Sequence, residues 1–496
     1  VAQKGTSGVV LQGTLLLPAM PLTGEVFVDG TGKIACAAAS CSGTAGYAAA
    51  TVIDCTGSVI SPGLVNAHDH TEYDTGGPVP HGTTRWEHRN DWRTGFGGAP
   101  ELKTPSSTTD PTVMAAAELR FVLGGATSII GSGGVHGLAR NLAAYPDTTM
   151  VEGLTGTTVF FDTFPLGDQN GTEITSGCAY PSPRSASSAF AGNAAYAPHV
   201  AEGINLAAEN EFTCASGPLS LVTSSTAILH GVGLDATDIS AIAAAQAKVI
   251  WAPRSNVDLY GNTAQVTVMK ALGITLALGT DWAASGSMNM LRELHCADSL
   301  NQDYFANAFT DQDLWRMATK NGAVAAKFDA QIGELATGLF ADIAVFSGGT
   351  DYSTVVHAGV EDVRLVMRAG KVLYGDAALV SALATSCDPL EICGVSKQIC
   401  VDTPSVTFAD VQTAAASSYP LYFCKTTTPT NEPSCVPYRT TYEGGETATD
   451  KDGDGVPDVS DDCPSVFNPI RPMDGTTQAD VNHNGLGDAC DPSPAK

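Results

Sequence analysis

An apolar run, Val59-Ile60 and then Leu64-Val65, leads through Asn66 and Ala67 into His68-Asp69-His70. On a β-strand, residues two apart share a face and lie about 6–7 Å apart along the strand. Both imidazoles then project the same way from the end of a buried strand, each with one ring-nitrogen lone pair. That is half of a transition-metal site. Further ligands must reach the same strand end, so the fold has to gather several strand termini in one place.

The rest of residues 61–330 meets that demand. Apolar runs at 126–130, 157–161, 196–198, 226–229, 249–252 and 274–278 alternate with Ala-rich helical stretches at 113–123, 201–211 and 237–247. This alternation predicts an α/β fold, best fitted by a (β/α)8 TIM barrel, in which the C-terminal strand ends open into one pocket. Residues 138–187 are the least readable part. Later runs end in His199, with Glu202 three residues on, in His230 and in Asp281. His68, His70, His199 and Asp281 would supply three nitrogens and one oxygen to a divalent metal. A position stays open for water, whose pKa such a metal lowers towards about 7. The donor set suits Zn²⁺ and accepts Fe²⁺ or Mn²⁺.

On either side the pattern changes to short strands, at 8–17, 24–36 and 51–55 and again at 341–346 and 363–374, with turns at Asp29-Gly30 and Ala369-Gly370. Neither end has enough strands for a sheet, so 1–60 and 331–380 are expected to pair into one composite, β-sandwich-like domain. Residues 381–440 read as a cysteine-rich spacer. In 441–496, oxygen donors alternate with glycines: Asp450, Asp452, Asp454, Val456 through its carbonyl, Asp458 and Asp461. A second copy follows at Asp480, Asn482, Asn484, Leu486, Asp488 and Asp491. Such loops wrap Ca²⁺.

The net charge of −27 argues against nucleic acid as a partner; the open metal position is what makes a small-molecule substrate the expected partner. No apolar run is long enough for a transmembrane helix. The start at Val1 without Met, and thirteen cysteines outside any C-x-x-C pattern, lead us to expect disulfides and an extracytoplasmic protein, whether secreted, periplasmic or at the cell surface. The odd count leaves at least one cysteine unpaired. The acidic tail is a candidate for cell-surface or matrix association.

PGLVNAHDH, the H-x-x-E of His199 and Glu202, LHG at His230 and GTD at Asp281 together resemble the amidohydrolase superfamily. WAPRSN at 251–256 and ELATGLFADIAVF at 334–346 are similar to its cytosine-deaminase and triazine-hydrolase-like branch. The resemblance spans roughly residues 8–378. It implies hydrolysis of a non-peptide carbon–nitrogen bond, as in a heterocycle deaminase or a cyclic-amide hydrolase. It also implies Asp281 as the base, Glu202 as the proton shuttle to the leaving nitrogen or ring, and His230 as the group that orients or polarises the centre under attack. Many relatives bridge two metals with a carbamylated lysine on strand 4. No lysine occurs between Lys103 and Lys248, so one metal is expected, with a Cys178 or carboxylate bridge as the lesser option. The tail resembles thrombospondin type 3 repeats, which implies that Cys463 pairs with Cys490.

Two other readings compete: a calcium-dependent surface-binding protein on an inactive barrel, and a hydrolase of acyl-amino acids or dipeptide-like amides. His88 and Arg89 read either as a substrate gate or as a solvated loop. His136 reads as a loop residue, His295 as packing, and Pro253 to Asn256 as a strand end and helix cap.

Overall fold

The structure, a computed structural model, describes residues 1–404, 406–442 and 445–495. Its largest sheet has nine strands, in the order Asp388–Ile392, Val395–Ile399, Lys371–Asp376, Val363–Arg368, Ile343–Ser347, Thr51–Pro62, Val9–Leu15, Leu22–Val28, Ile34–Ala38. Thr51–Pro62 joins the two halves. It pairs parallel with Val9–Leu15, Leu11 beside Ile53, and antiparallel with Ile343–Ser347, Ile60 beside Val345. Alternate side chains, among them Leu11, Ile53, Ile60, Val345, Leu365 and Met367, enter one buried cluster. That period-two pattern holds together segments far apart in sequence. The domain expected to be sandwich-like takes the form of one continuous sheet.

The sheet does not stop at residue 380. A hairpin, Asp388–Ile392 and Val395–Ile399, adds its last two strands, so the stretch expected to be a spacer is in part structural sheet. Disulfides Cys387–Cys400 and Cys393–Cys424 fasten that hairpin, and Ile392 and Ile399 are buried. With only two apolar anchors, such short strands carry too little periodicity to be read from sequence. Beyond them, helix Phe408–Ser417 packs against helix Pro111–Leu123.

The middle of the chain forms two parallel sheets. One has five strands, Val159–Asp162, Ala195–Val200, Ala227–His230, Lys248–Trp251 and Leu276–Leu278; the other has three, Leu64–His70, Ala126–Ser132 and Arg140–Asn141. Their edges meet at both seams: Val159 N donates to Leu142 O at 2.9 Å, and Asp281 N to His68 O at 3.0 Å. Val65, Ala67, Ile130, Ala195, Ala197, Ala227, Leu229, Ile250 and Ala277, drawn from six of these strands, form one interior cluster, while the alternate residues Leu64, Ile129, Ile228, Val249 and Leu278 face the helices. This mixed α/β arrangement is consistent with a TIM-barrel enzyme domain. The two-residue strand Arg140–Asn141 is too short to show any period.

The helix expected at 201–211 begins later, as Leu206–Ser216, capped by Asn205, whose side chain accepts from Ala207 N and Ala208 N at 3.1 and 3.0 Å. Gly203, at φ +155°, and Ala201, at φ 57°, keep the intervening backbone out of a helix. That delay leaves Glu202 on a loop at the strand end.

Among the described residues six disulfides are formed: the two already named, Cys36–Cys41, Cys178–Cys214, Cys296–Cys435 and Cys463–Cys490. Cys55 is free and buried. Such a pattern is characteristic of an oxidising environment. Segments 420–442 and 445–495 reach back to loops and a helix that follow the parallel strands. Arg439 donates to Trp86 O and Tyr260 O at 3.0 and 2.9 Å, and Arg471 to Leu234 O at 2.8 Å. No described helix is long and apolar enough to cross a membrane.

Arg140 links the two layers. Fully buried, it pairs with Asp342, which also accepts from Ala369 N at 2.8 Å. Arg140→Met, which leaves Asp342 buried without its partner, should destabilise the protein by about 3–5 kcal/mol. The double variant with Asp342→Leu should lose much less; denaturant unfolding of both will show whether this pair fixes the layers.

Candidate active site

His68 and His70 emerge on one face of the strand Leu64–His70, and their Nε2 atoms are 3.3 Å apart. His199, on Ala195–Val200, brings its Nε2 to 3.2 Å from His68 and 3.3 Å from His70. Asp281 Oδ1 lies 3.5 and 3.8 Å from those of His68 and His70. Nitrogen ligands on bonds of about 2.05 Å at tetrahedral angles stand about 3.3 Å from one another. The three rings are therefore spaced as a divalent metal requires.

Burial lowers the His68 pKa to about 3 and that of His70 to about 4, and pushes His199 well below its usual value. All three rings stay neutral and keep a lone pair. His199 Nδ1 faces the Asp162 carbonyl at 3.1 Å, and His70 Nδ1 faces Ser132 Oγ at 3.2 Å. A carbonyl can only accept, so the proton of His199 sits on Nδ1 and its Nε2 is free to bind.

Asp281 follows the short strand Leu276–Leu278 at φ 56°, a left-handed conformation that costs a non-glycine residue about 1–2 kcal/mol. Ser255 donates to its Oδ2 at 2.6 Å and Trp282 N to its Oδ1 at 2.8 Å. Two residues earlier, Gly279 leaves room for His68: a Cβ there would overlap the His68 backbone. The GTD sequence thus lets the first and last parallel strands meet closely enough to share a site.

Glu202 is buried beside this group. Tyr260 Oη donates to its Oε1 at 2.8 Å, Trp92 Nε1 donates to Tyr260 Oη at 3.0 Å, and Arg89 Nη1 lies 3.9 Å from its Oε2. Burial raises the Glu202 pKa to about 7, against the pull of Arg89. Its proton is then exchangeable near neutral pH. His230, at φ 69°, points Nε2 to within 3.8 Å of Glu202 Oε2 and is held through Nδ1 by Asn256 at 3.1 Å. A cavity of about 330 Å³ opens over Glu202, His230, Asp281, His70 and His199, walled by Tyr73, Trp92, Phe164 and Trp282.

His88 and Arg89 are not a solvated loop. Both are buried, Arg89 against Asp168 at 2.7 Å and Glu211 at 3.4 Å, His88 against Glu211 at 3.1 Å and Glu173 at 3.3 Å. Those carboxylates lift the His88 pKa to about 9, although burial opposes the charge. Sequence reasoning reads Ser255 and Asn256 as a strand end and cap, and misses Tyr260 and Trp92, which arrive from helices with no spacing signal. His136 lies outside the cavity beside Asp147, and Cys178 is bound to Cys214 and cannot bridge metals.

In the tail, carboxylate oxygens of Asp450, Asp452 and Asp454 lie within 4.8 Å of one another. Asp452 Oδ2 and Asp461 Oδ2 are buried without a hydrogen-bond partner. Asp458 instead binds Lys451, at 2.9 Å to its N and 2.6 Å to its Nζ. In the second loop Asp480 accepts from Gly485 N and Asp488 from Val481 N, while Asn482 and Asn484 direct their amide groups at Asp491, at 2.9 and 2.8 Å. Val456 N donates to Asp454, and Leu486 is exposed.

Residues 185–373 match the model of the Amidohydrolase family. The chain is similar to 5-methylthioadenosine/S-adenosylhomocysteine deaminase of Halobacterium salinarum, 35% identical over 161 residues, which is 30% of this chain and 37% of that protein. It spans 28–38% of the length of the first curated relatives it matches. Among solved structures, atrazine chlorohydrolase of Arthrobacter aurescens TC1, complexed with zinc, aligns with a TM-score of 0.53 and 16% identity over 74% of this chain and 95% of that one. An adenosine deaminase of Xanthomonas campestris with bound zinc aligns with a TM-score of 0.50 and 17% identity over 75% and 93%. These likenesses are of fold.

Because the site depends on the close approach at Gly279, Gly279→Ala should displace His68 and destabilise the protein by about 1–3 kcal/mol. Thermal unfolding beside a metal-binding titration will check it; unchanged values for both would mean the two strands do not constrain each other there.

Proposed function

We propose that the chain is a metal-dependent hydrolase acting on carbon–nitrogen bonds of nitrogen heterocycles, most simply a deaminase, with a closed (β/α)8 barrel as its catalytic body. The observation that carries this reading is the convergence of three neutral imidazoles and a carboxylate beneath a cavity that also holds a proton-exchanging acid. His68, His70, His199 and Asp281 would hold one divalent metal, Zn²⁺ by donor type, which supplies a hydroxide nucleophile near neutral pH. The fourth strand favours a single ion. Its terminal carboxylate, Asp162, is taken by Arg184 at 2.8 Å and Tyr196 at 3.0 Å, and Cys178 is closed.

The remaining steps belong to side chains. Asp281 accepts the proton that water gives up as it attacks the ring carbon. His230 faces the group that gains charge at that carbon. Glu202 delivers a proton to the departing nitrogen, so the carbon–nitrogen bond breaks, ammonia leaves and the carbon keeps the oxygen. Tyr260 and Arg89 hold Glu202 in line. Tyr73, Trp92, Phe164 and Trp282 offer flat faces for a planar ring and exclude water. An intact acid and base favour this reading over a surface-binding protein with an inactive barrel. The aromatic walls favour a heterocycle over an acyl-amino acid.

We also read the protein as extracytoplasmic, from its disulfides, and the first tail loop as a calcium site, from the unpartnered oxygens of Asp452 and Asp461 amid other carboxylates. The second loop is the weaker candidate, because its amides face Asp491 with nitrogen rather than oxygen.

Elemental analysis should find about one transition metal per chain, lost in the His68→Ala/His70→Ala variant. Glu202→Gln should keep the metal while kcat on aminated heterocycles falls by about 10²–10⁴; a fully active variant would remove Glu202 from the mechanism. In the tail, burial and neighbouring carboxylates raise Asp452 to about 8 and Asp454 to about 6. Raised carboxylate values stabilise the folded tail below the unfolded value and lose that stability as pH rises. Without calcium, proteolysis of the tail should therefore accelerate from about pH 4 to about pH 8, and added calcium should suppress it.

A further inference from the structure

Two overlapping sets of ligand atoms exist at the site: His68 with His70 and His199, and His68 with His230 and Asp281. His230 is near enough to serve the same metal, so something must decide whether its Nε2 offers a lone pair or a proton. We propose that Asn256 decides it: by donating from Nδ2 to His230 Nδ1, it places the ring proton on Nε2, keeps His230 out of the metal shell and turns it into a hydrogen-bond donor facing the cavity. Asn256 is thus a positioning residue. This rests on reading His68, His70, His199 and Asp281 as the metal ligands.

The argument is a comparison of two buried rings whose centroids are 5.2 Å apart. His199 presents Nδ1 to a carbonyl, Asp162 O at 3.1 Å, which accepts and leaves Nε2 bare. His230 presents Nδ1 to the Asn256 amide nitrogen at 3.1 Å, which donates and leaves Nε2 protonated. The partner on Nδ1 gives the two histidines opposite tautomers.

Two further observations fix the sense of the Asn256 contact. Asn256 is fully buried, and its Oδ1 has no partner. Turning the amide over would instead strand its NH₂ group, and orphaned N–H donors are rarer in proteins than under-satisfied carbonyl oxygens. On the far side of the ring, Glu202 Oε2 lies 3.8 Å from Nε2 and favours a proton there. Asn256 can act this way because Pro253–Tyr260 begins at the end of Lys248–Trp251, so the first turn of that helix lies against Asp281 and His230. Its neighbour Ser255 donates to Asp281 at 2.6 Å from the same turn. One dipeptide therefore orients both the base and the histidine opposite it.

The test is histidine ¹⁵N NMR on the full chain loaded with ¹¹³Cd, beside zinc stoichiometry and kinetics. In the wild type, nitrogen–cadmium coupling should appear for His68, His70 and His199 and not for His230, whose Nδ1 should be unprotonated and Nε2 protonated. Asn256→Asp keeps the shape but can only accept, so it should move the proton onto Nδ1. Zinc content should hold, and kcat should fall by about 10²-fold with a smaller change in KM, the loss expected when one aimed donor is removed. A cadmium-coupled His230 in the wild type, or an Asn256→Asp spectrum with Nδ1 still unprotonated, would overturn the proposal. Failure of the metal reading would appear separately, as a wild type that binds no cadmium, while the same spectrum still decides the tautomer.

Discussion

Three imidazole nitrogens 3.2–3.3 Å apart, on rings too deeply buried to carry charge, are the constraint on which the rest of the molecule depends. Neutral rings at that spacing cannot all donate to one another, so they are held together by the scaffold rather than by mutual attraction. The scaffold must bring two distant strand ends into contact, which is why Gly279 abuts His68 and why Asp281 and His230 tolerate left-handed backbone. Strain of this kind persists only where packing over-determines the backbone. Here that packing is the interior layer of alternating small and branched residues, Ala67, Ala197, Ala227, Leu229 and Ala277.

Around the acid the electrostatics follow a different logic. Arg89 is a buried cation whose charge is spread over Asp168, Glu211 and Glu202, and His88 brings a second cation to the same Glu211 oxygen. Glu202 takes the smallest share of that positive charge, so burial dominates its pKa, whereas the better-paired Glu211 is held below its usual value. The two neighbouring glutamates differ in how fully Arg89, His88 and the Ala201 amide compensate their burial. One is a fixed counter-ion and the other an exchangeable acid.

Much of the site's placement is legible in the sequence, because its principal side chains lie at or just beyond the ends of apolar runs. His68, His70, His199, Glu202, His230 and Asp281 all announce themselves this way, and the structure brings them together, all but the fully buried His68 lining one cavity. What surrounds them is not legible in the same manner. Tyr260, Trp92 and Asn256 come from helices whose contact faces are set by tertiary packing, and the two-residue strand Arg140–Asn141 has no period to detect. The hairpin at 388–399 was hidden for a related reason: disulfides replace most of the apolar burial that would have marked it as sheet. Arg89 illustrates the limit most clearly: the sequence leaves it between a substrate gate and a solvated loop until the carboxylates that bury it, from distant segments, are known.

The C-terminal segment ties the surroundings of the site to residues hundreds of positions later in the sequence. Arg439 holds the backbone of Trp86 and Tyr260, Arg471 holds the loop after His230, and the Cys296–Cys435 disulfide closes a span of 139 residues. The side chains proposed as ligands, acid and base all lie before residue 282, ahead of Cys435, Arg439 and Arg471. In synthesis, chemistry therefore precedes bracing: the side chains of the site are complete before Cys435, Arg439 and Arg471 can hold the segments around them.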